Sequence, residues 1–272
     1  MTSWFMQRNV LLVSAIAILV VAAKAVDGPA LIGLQNPLEA STPRTEGKKK
    51  RIVFFASHPE DPVFACGGLI ARLTKSGHEV IVASATSFRG NRMIGDEREA
   101  VVRRREATAA YEVLGATPHF FDFDHNTFIA NESTLAAVSS WIKETKPDII
   151  FAHWPLDTHP NRHVAGSIIW QSYLRDKKWS LYFFEGLTDY QTVAFSPEIY
   201  VDVTEVHDLK REACFRMPST KPESIWIDQD DVQRRRGVEC GPRYAEAFVL
   251  AEPGPTMLPS SLTIKKKKTA RD

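Results

Sequence analysis

The sequence predicts an α/β fold with a mainly parallel sheet, flanked by helices, and an active-site crevice at the carboxyl ends of its strands. Three observations carry that prediction. Short apolar runs alternate with helix-length segments, the pattern of repeated β-α units. Two of the runs, residues 51–56 and 148–152, are apolar at nearly every position, as strands covered on both faces are. Both lead directly into polar turns rich in histidine, carboxylate and proline, and open α/β sheets bind ligands at such strand ends.

Taken in order, residues 51–56 (RIVFFA) form the first strand. Ser57-His58-Pro59-Glu60-Asp61-Pro62 stops it, because two prolines cannot continue a ladder. Gly67-Gly68 then precede helical spacing from about Leu69 to Ser76, closed by Gly77. Residues 78–84 read as a second strand, 86–96 as a polar loop and 97–114 as an amphipathic helix closed by Gly115. A third strand at 119–123, a helix at 133–144 and the fourth strand at 148–152 follow. The second polar turn, HWPLDTHPNRH over residues 153–163, opens a helix from about Val164 to Arg175. Strands at 181–185 and 199–203, a helix at 206–216 and a basic helix around 232–237 complete the pattern.

The chain has 272 residues, 44% apolar and 25% charged, enough for one substantial core. Lys and Arg number 34 against 33 Asp and Glu, so bulk charge supplies no attraction to nucleic acid, and no nucleic-acid partner is expected. Residues 1–25 read as a signal peptide: Arg8 is basic, residues 10–23 carry no charge, and Ala23-Lys24-Ala25 fits a small-x-small cleavage site. The protein is therefore expected to be exported, periplasmic or extracellular. The 14 uncharged residues fall short of the roughly 20 that span a bilayer. No stable membrane span is expected after cleavage, an uncleaved N-terminal anchor being the alternative. Residues 26–50 read as a linker, 51–252 as the domain, and 253–272, with three prolines and the lysines at 265–268, as a disordered basic tail. Cys66, Cys214 and Cys240 show no paired metal spacing; a Cys214–Cys240 bridge is the one disulfide considered, and none is given a catalytic role.

A histidine and a carboxylate three residues apart, His58 and Asp61, joined by a histidine from the second turn, make a facial ligand set for Zn²⁺ or another divalent metal. Such an ion lowers the pKa of bound water, and a carboxylate off the metal can take the proton. Four features together resemble the PIG-L/LmbE family of zinc-dependent N-deacetylases across residues 51–252. They are the Ser57–Pro62 segment, the Gly67-Gly68 pair, the Arg103-to-Glu106 spacing before Val113-Leu114-Gly115, and Asp157-Thr158-His159-Pro160-Asn161.

The resemblance implies a Rossmann-like sheet and removal of an N-acetyl group from an amino sugar or glycoconjugate bearing N-acetylglucosamine. It implies that His58 and Asp61 are metal ligands and Glu60 the general base. It gives His159 the oxyanion or leaving amine, and puts Asn161 where an aspartate usually supports the site. Arg103 would lie near the substrate or brace the turn through Glu106.

The chain departs from the family pattern at three further positions. Glu60 precedes Asp61 where the family has Asp-Asp, Val63 replaces a glutamate, and Arg162 stands at the third ligand, the second histidine of H-P-x-H. Arginine stays protonated and cannot ligate a cation. Either His163 serves as the third ligand, or Arg162 fills the ligand space beside the substrate. The leading reading is a metal-dependent deacetylase, and the rival is a non-enzymatic carbohydrate-binding member that has lost the third ligand.

Other residues carry weaker signals. Of His78, His119, His125, His153 and His207, only His153 is expected to line the crevice. Arg234-Arg235-Arg236 fit either an anionic substrate group or a solvated helix face. Trp154, Trp170, Trp179 and Trp226 fit sugar stacking or core packing. Nucleotide binding at Gly67-Gly68 lacks a G-x-G-x-x-G motif.

Overall fold

The computed structural model describes residues 48–87, 97–187 and 191–265, all within the compact unit Pro43–Asp272. The signal-peptide reading, most of the linker and the end of the basic tail lie outside the described residues. Among the described residues eight strands form one sheet: β1 Arg51–Ala56, β2 Glu79–Ser84, β3 Thr117–Phe120, β4 Ile149–His153, β5 Ser180–Phe184, β6 Ile199–Asp202, β7 Ala245–Glu252 and β8 Ile264–Lys265. Their order across the sheet is β3-β2-β1-β4-β5-β7-β6-β8. The first five pair in parallel and the last three are antiparallel, so the sheet is mixed, with a Rossmann-like parallel half. Among the described residues six α-helices accompany it: α1 Asp61–Lys75, α2 Glu97–Leu114, α3 Glu132–Thr145, α4 Pro160–Arg175, α5 His207–Phe215 and α6 Pro222–Cys240.

Helices on both faces explain the continuous apolar strands. Alternate residues of β1 enter different cores: Ile52 and Phe54 pack with α1 and α2, while Val53 and Phe55 pack with α3 and α4. Phe54 stacks on Phe151 of β4, with ring centroids 4.6 Å apart, which fixes the β1–β4 register beneath the two polar turns.

The helix α1 begins eight residues before the spacing predicts. Pro62 is tolerated in a first helical turn because amide hydrogens there have no helical partner, and Asp61 meets the positive end of the helix dipole. The glycine pair therefore lies inside the helix. A Cβ on Gly68 would sit 2.4 Å from Val203 Cγ1, and the amides of Gly68 and Leu69 donate to the Glu246 carboxylate at 2.8 Å each. Lys210, fully buried, pairs with that same carboxylate at 2.8 Å. The pair serves close packing against β6 and β7, which the sequence pattern had suggested only as a helix entry.

The packed chain also runs past Glu252. Leu258 and Leu262 are buried in the core, Lys50 donates to the Met257 carbonyl at 3.2 Å, and β8 adds to the edge of β6. The expectation of a disordered tail from residue 253 is corrected: apolar anchors spaced among prolines hold residues 253–265 on the domain. All three cysteines are buried and free of disulfides, so the Cys214–Cys240 bridge is not formed.

Two substitutions test this packing. Gly68→Ala is expected to lower unfolding free energy by about 1–3 kcal/mol. Lys210→Met, which leaves the Glu246 charge unpaired, should cost about 3–5 kcal/mol. Both are read by urea denaturation.

Candidate active site

The two polar turns leave neighbouring strands. The order of the sheet reverses between β1 and β4, and such a switch point opens a crevice at the carboxyl ends. Residues 57–60 follow β1 and residues 154–159 follow β4, so both turns face that crevice from adjacent strands.

Asp61 is the electrostatic centre and is fully buried. Its Oδ1 accepts from Arg162 Nε at 3.1 Å and lies 2.9 Å from Arg162 Nη2. Its Oδ2 accepts from the His58 amide at 3.0 Å and the Ser57 hydroxyl at 3.3 Å, and lies 3.1 Å from His153 Nε2. Burial by itself would raise this carboxyl, but Arg162 and His153 outweigh it and hold Asp61 well below the ordinary carboxylate range. Arg162 is buried too, and its Nη1 donates to Gln191 Oε1 at 2.8 Å.

Three imidazoles stand beside this pair. His58 Nδ1 lies 2.8 Å from Ser57 Oγ and 3.3 Å from Asp61 Oδ2, while its Nε2 lies 3.2 Å from His125 Nδ1. Asn161 donates to the His125 carbonyl at 3.0 Å and also meets His125 Nδ1 at 3.0 Å. His159 caps α4: its Nδ1 accepts from the Asn161 amide at 3.3 Å, and its own amide donates to Asp157 Oδ1 at 2.8 Å. Burial, then the neighbouring His58 and Arg162, lower the His159 pKa to about 4. At neutral pH it is therefore an uncharged ring, and with Nδ1 accepting, its proton lies on Nε2. His58, His125, His159 and Arg162 line a cavity of about 440 Å³, together with Lys221, which precedes α6, and Asp228 within α6.

His58, Asp61, His159, Asn161 and Arg162 thus come together, and three other expected residues do not join them. Glu60 is buried and accepts from Arg103 Nη1 at 3.1 Å, away from the cavity lining. Arg103 also pairs with Glu99 at 3.0 Å, so it braces the first turn through Glu60 rather than touching the crevice. The bracing partner expected for it, Glu106, instead accepts from Ser219. His163 is exposed, with Nδ1 2.5 Å from the Pro155 carbonyl. Adjacent helical residues diverge by about 100°, so Arg162 facing inward turns His163 outward.

Sequence reasoning passed over His125, which sits on the loop after β3 with no motif around it, and the wall built by α6. His153 does belong to the site, but behind Asp61 and not in the cavity lining. The arginine cluster is neutralised locally: Arg234 pairs with Asp230, Arg235 with Asp231, and Arg236 with Glu185 and Glu239. The four tryptophans stay out of the cavity lining; Trp170, for one, stacks on Phe183 with centroids 5.2 Å apart.

A divalent ion does not fit these residues as they stand. Two nitrogens of the one Arg162 guanidinium occupy Asp61 Oδ1, three donors surround Oδ2, and His163 is outside. Among the described residues no three His, Cys, Asp or Glu side chains converge as a metal requires.

A family model described as PIG-L, GlcNAc-PI de-N-acetylase, matches residues 53–173, from β1 through α4 and so across both turns. The chain carries a PIG-L family domain. Its relatives include a 4-oxalmesaconate hydratase of Pseudomonas putida, 29% identical over 213 residues, covering 71% of this chain and 81% of the relative. A diacetylchitobiose deacetylase of Thermococcus kodakarensis is 25% identical over 228 residues, covering 73% of this chain and 82% of the relative. The structure of N,N'-diacetylchitobiose deacetylase from Pyrococcus horikoshii shares the fold, with a TM-score of 0.65 at 21% identity over 80% of this chain and 91% of that one. The relatives of this PIG-L domain are enzymes that include both deacetylases and a hydratase.

Acid should unfold this domain through the same groups. Asp61 has a lowered folded pKa, so its stabilisation is present above an unfolded value of about 4 and is lost as pH falls through the folded one. His159 is also lowered, to about 4, so the unfolded chain takes up its proton from about pH 6.5 downward and stability falls over that window. The melting temperature is expected to drop between these two pH values, and to drop less in His159→Gln.

Proposed function

We propose that the cavity receives an N-acetylated amino sugar, free or at the end of a glycoconjugate, and that the reaction class is hydrolysis of its acetamide. The observation that carries this reading is the convergence of His58, His125, His159 and Arg162 on one cavity of the PIG-L domain. Its volume of about 440 Å³ suits a ligand of one or two sugar rings. The relatives named for diacetylchitobiose deacetylation support the ligand class.

The chain's own side chains supply the following chemistry. His159, uncharged and protonated on Nε2, donates to the acetamide carbonyl, and this hydrogen bond strengthens as negative charge builds on oxygen. Arg162 adds a fixed positive charge beside it. The His58–His125 imidazole pair, with His58 Nε2 3.2 Å from His125 Nδ1 and His58 oriented from behind by Ser57 and Asp61, takes the proton from the attacking water and returns it to the amine as the C–N bond breaks. The zinc-dependent form of the reaction would instead use Glu60 as base with His58, Asp61 and His163 as ligands. Glu60 turned onto Arg103 and His163 on the surface do not support that form.

A second reading, ligand binding without turnover, is favoured by one observation: the family's base position, Glu60, is withdrawn from the cavity into an ion pair. Export, implied by residues 1–25, is proposed alongside either reading, and N-terminal sequencing of secreted protein tests it.

Acetate release from N-acetylglucosamine and diacetylchitobiose, measured beside calorimetric binding, separates the readings. Hydrolysis predicts acetate, with kcat/KM reduced about a hundredfold or more in His159→Ala. Saturable binding without acetate selects the second reading, and neither binding nor acetate overturns both.

A further inference from the structure

We infer that Arg162 is the resident cation of this site: its guanidinium takes the electrostatic place of the divalent ion that the family implies, and the chain is built to work without metal at His58 and Asp61. The inference concerns the charge balance of the site and holds whichever ligand the cavity takes.

Asp61 is a buried carboxylate at the switch point of the sheet, and a buried charge requires a partner. Arg162 meets that need directly, placing Nε at 3.1 Å and Nη2 at 2.9 Å from Oδ1. The other oxygen is filled by the His58 amide at 3.0 Å, the Ser57 hydroxyl at 3.3 Å and His153 Nε2 at 3.1 Å. A carboxylate presents about four lone-pair directions, and these five donors leave none of them open. The guanidinium is also held from its far side, since Nη1 donates to Gln191 Oε1 at 2.8 Å, so it is fixed in the site by contacts at both ends. An ion between His58 and Asp61 would have to displace these donors and sit against a fixed positive charge. The nearby alternative ligand does not help, because His163 faces solvent and engages the Pro155 carbonyl.

His58 turns its Nε2 to His125 Nδ1 at 3.2 Å, and Asn161, at the family's aspartate position, holds that same His125 imidazole. The position next to Arg162 thus organises a hydrogen-bonded pair of imidazoles instead of a ligand shell.

Metal content decides the matter without reference to activity. The full chain, purified, dialysed against buffer and then against one equivalent of ZnCl₂ followed by gel filtration, is measured by elemental analysis, beside Arg162→His and Arg162→Lys. The expected result is wild type with far less than one zinc per chain and an unfolding temperature unmoved by a chelator. Arg162→His should retain close to one zinc per chain, and Arg162→Lys none, since lysine keeps the charge but adds no ligand. Wild type that retains a full equivalent of zinc overturns the inference. So does a folded Arg162→His that gains none, because position 162 would then not be what excludes the ion. If Arg162→His fails to fold, the wild-type zinc content and its chelator response decide alone.

Discussion

The site rests on one constraint: Asp61 is a carboxylate with no access to water, held at the point where the sheet reverses its strand order. An unpaired charge there would cost several kcal/mol. Arg162, from the opposite turn, removes that cost and in doing so joins the two halves of the crevice. The pair spans 101 residues of sequence, linking the start of α1 to the start of α4. Around it the remaining side chains find their places: His153 and His58 against the carboxylate, His125 against His58 and Asn161, and His159 in the cavity lining.

The fold serves this pair through rigid backing. β1 and β4 are apolar on both faces and register-locked by the Phe54–Phe151 stack, so the residues leaving their ends have little freedom. A second buried ion pair, Lys210–Glu246, stands on the other side of α1 and ties that helix to β7 and α5. The helix carrying Asp61 is thus clamped near both its start and its middle. Tyr111 adds a hydrogen bond from α2 to the Pro59 carbonyl, and Arg103 adds its ion pair to Glu60, so the first turn is braced from behind by side chains that never reach the cavity.

Much of this was legible in the sequence, for identifiable reasons. Continuous apolar runs ending in His-Pro-acid turns located both strand ends, and the departure at Arg162 marked the place where the site differs from its family. What escaped has equally physical reasons. His125 stands alone on a loop, and only tertiary contact brings it against His58. Proline and glycine near residues 59–68 read as breaks, yet Pro62 fits a first helical turn and Gly68 makes room for Val203. The strand at β7 and the anchors Leu258 and Leu262 lie in stretches whose charges and prolines mask a modest apolar signal. Glu60 and His163 were placed by position in a motif, and a helical turn of about 100° per residue together with Arg103 redirected both.

A carboxylate neutralised by arginine rather than by metal gives a donor-rich cavity of fixed charge in a family of deacetylases and a hydratase. The coupling between Asp61 and Arg162 is the quantity that tests this account most directly. A double-mutant cycle with Asp61→Asn and Arg162→Met, read by chemical denaturation, measures it. Each single change should destabilise the domain by about 3–5 kcal/mol, and the double change should cost less than their sum by about 2–3 kcal/mol. Costs that simply add to within about 0.5 kcal/mol would contradict it.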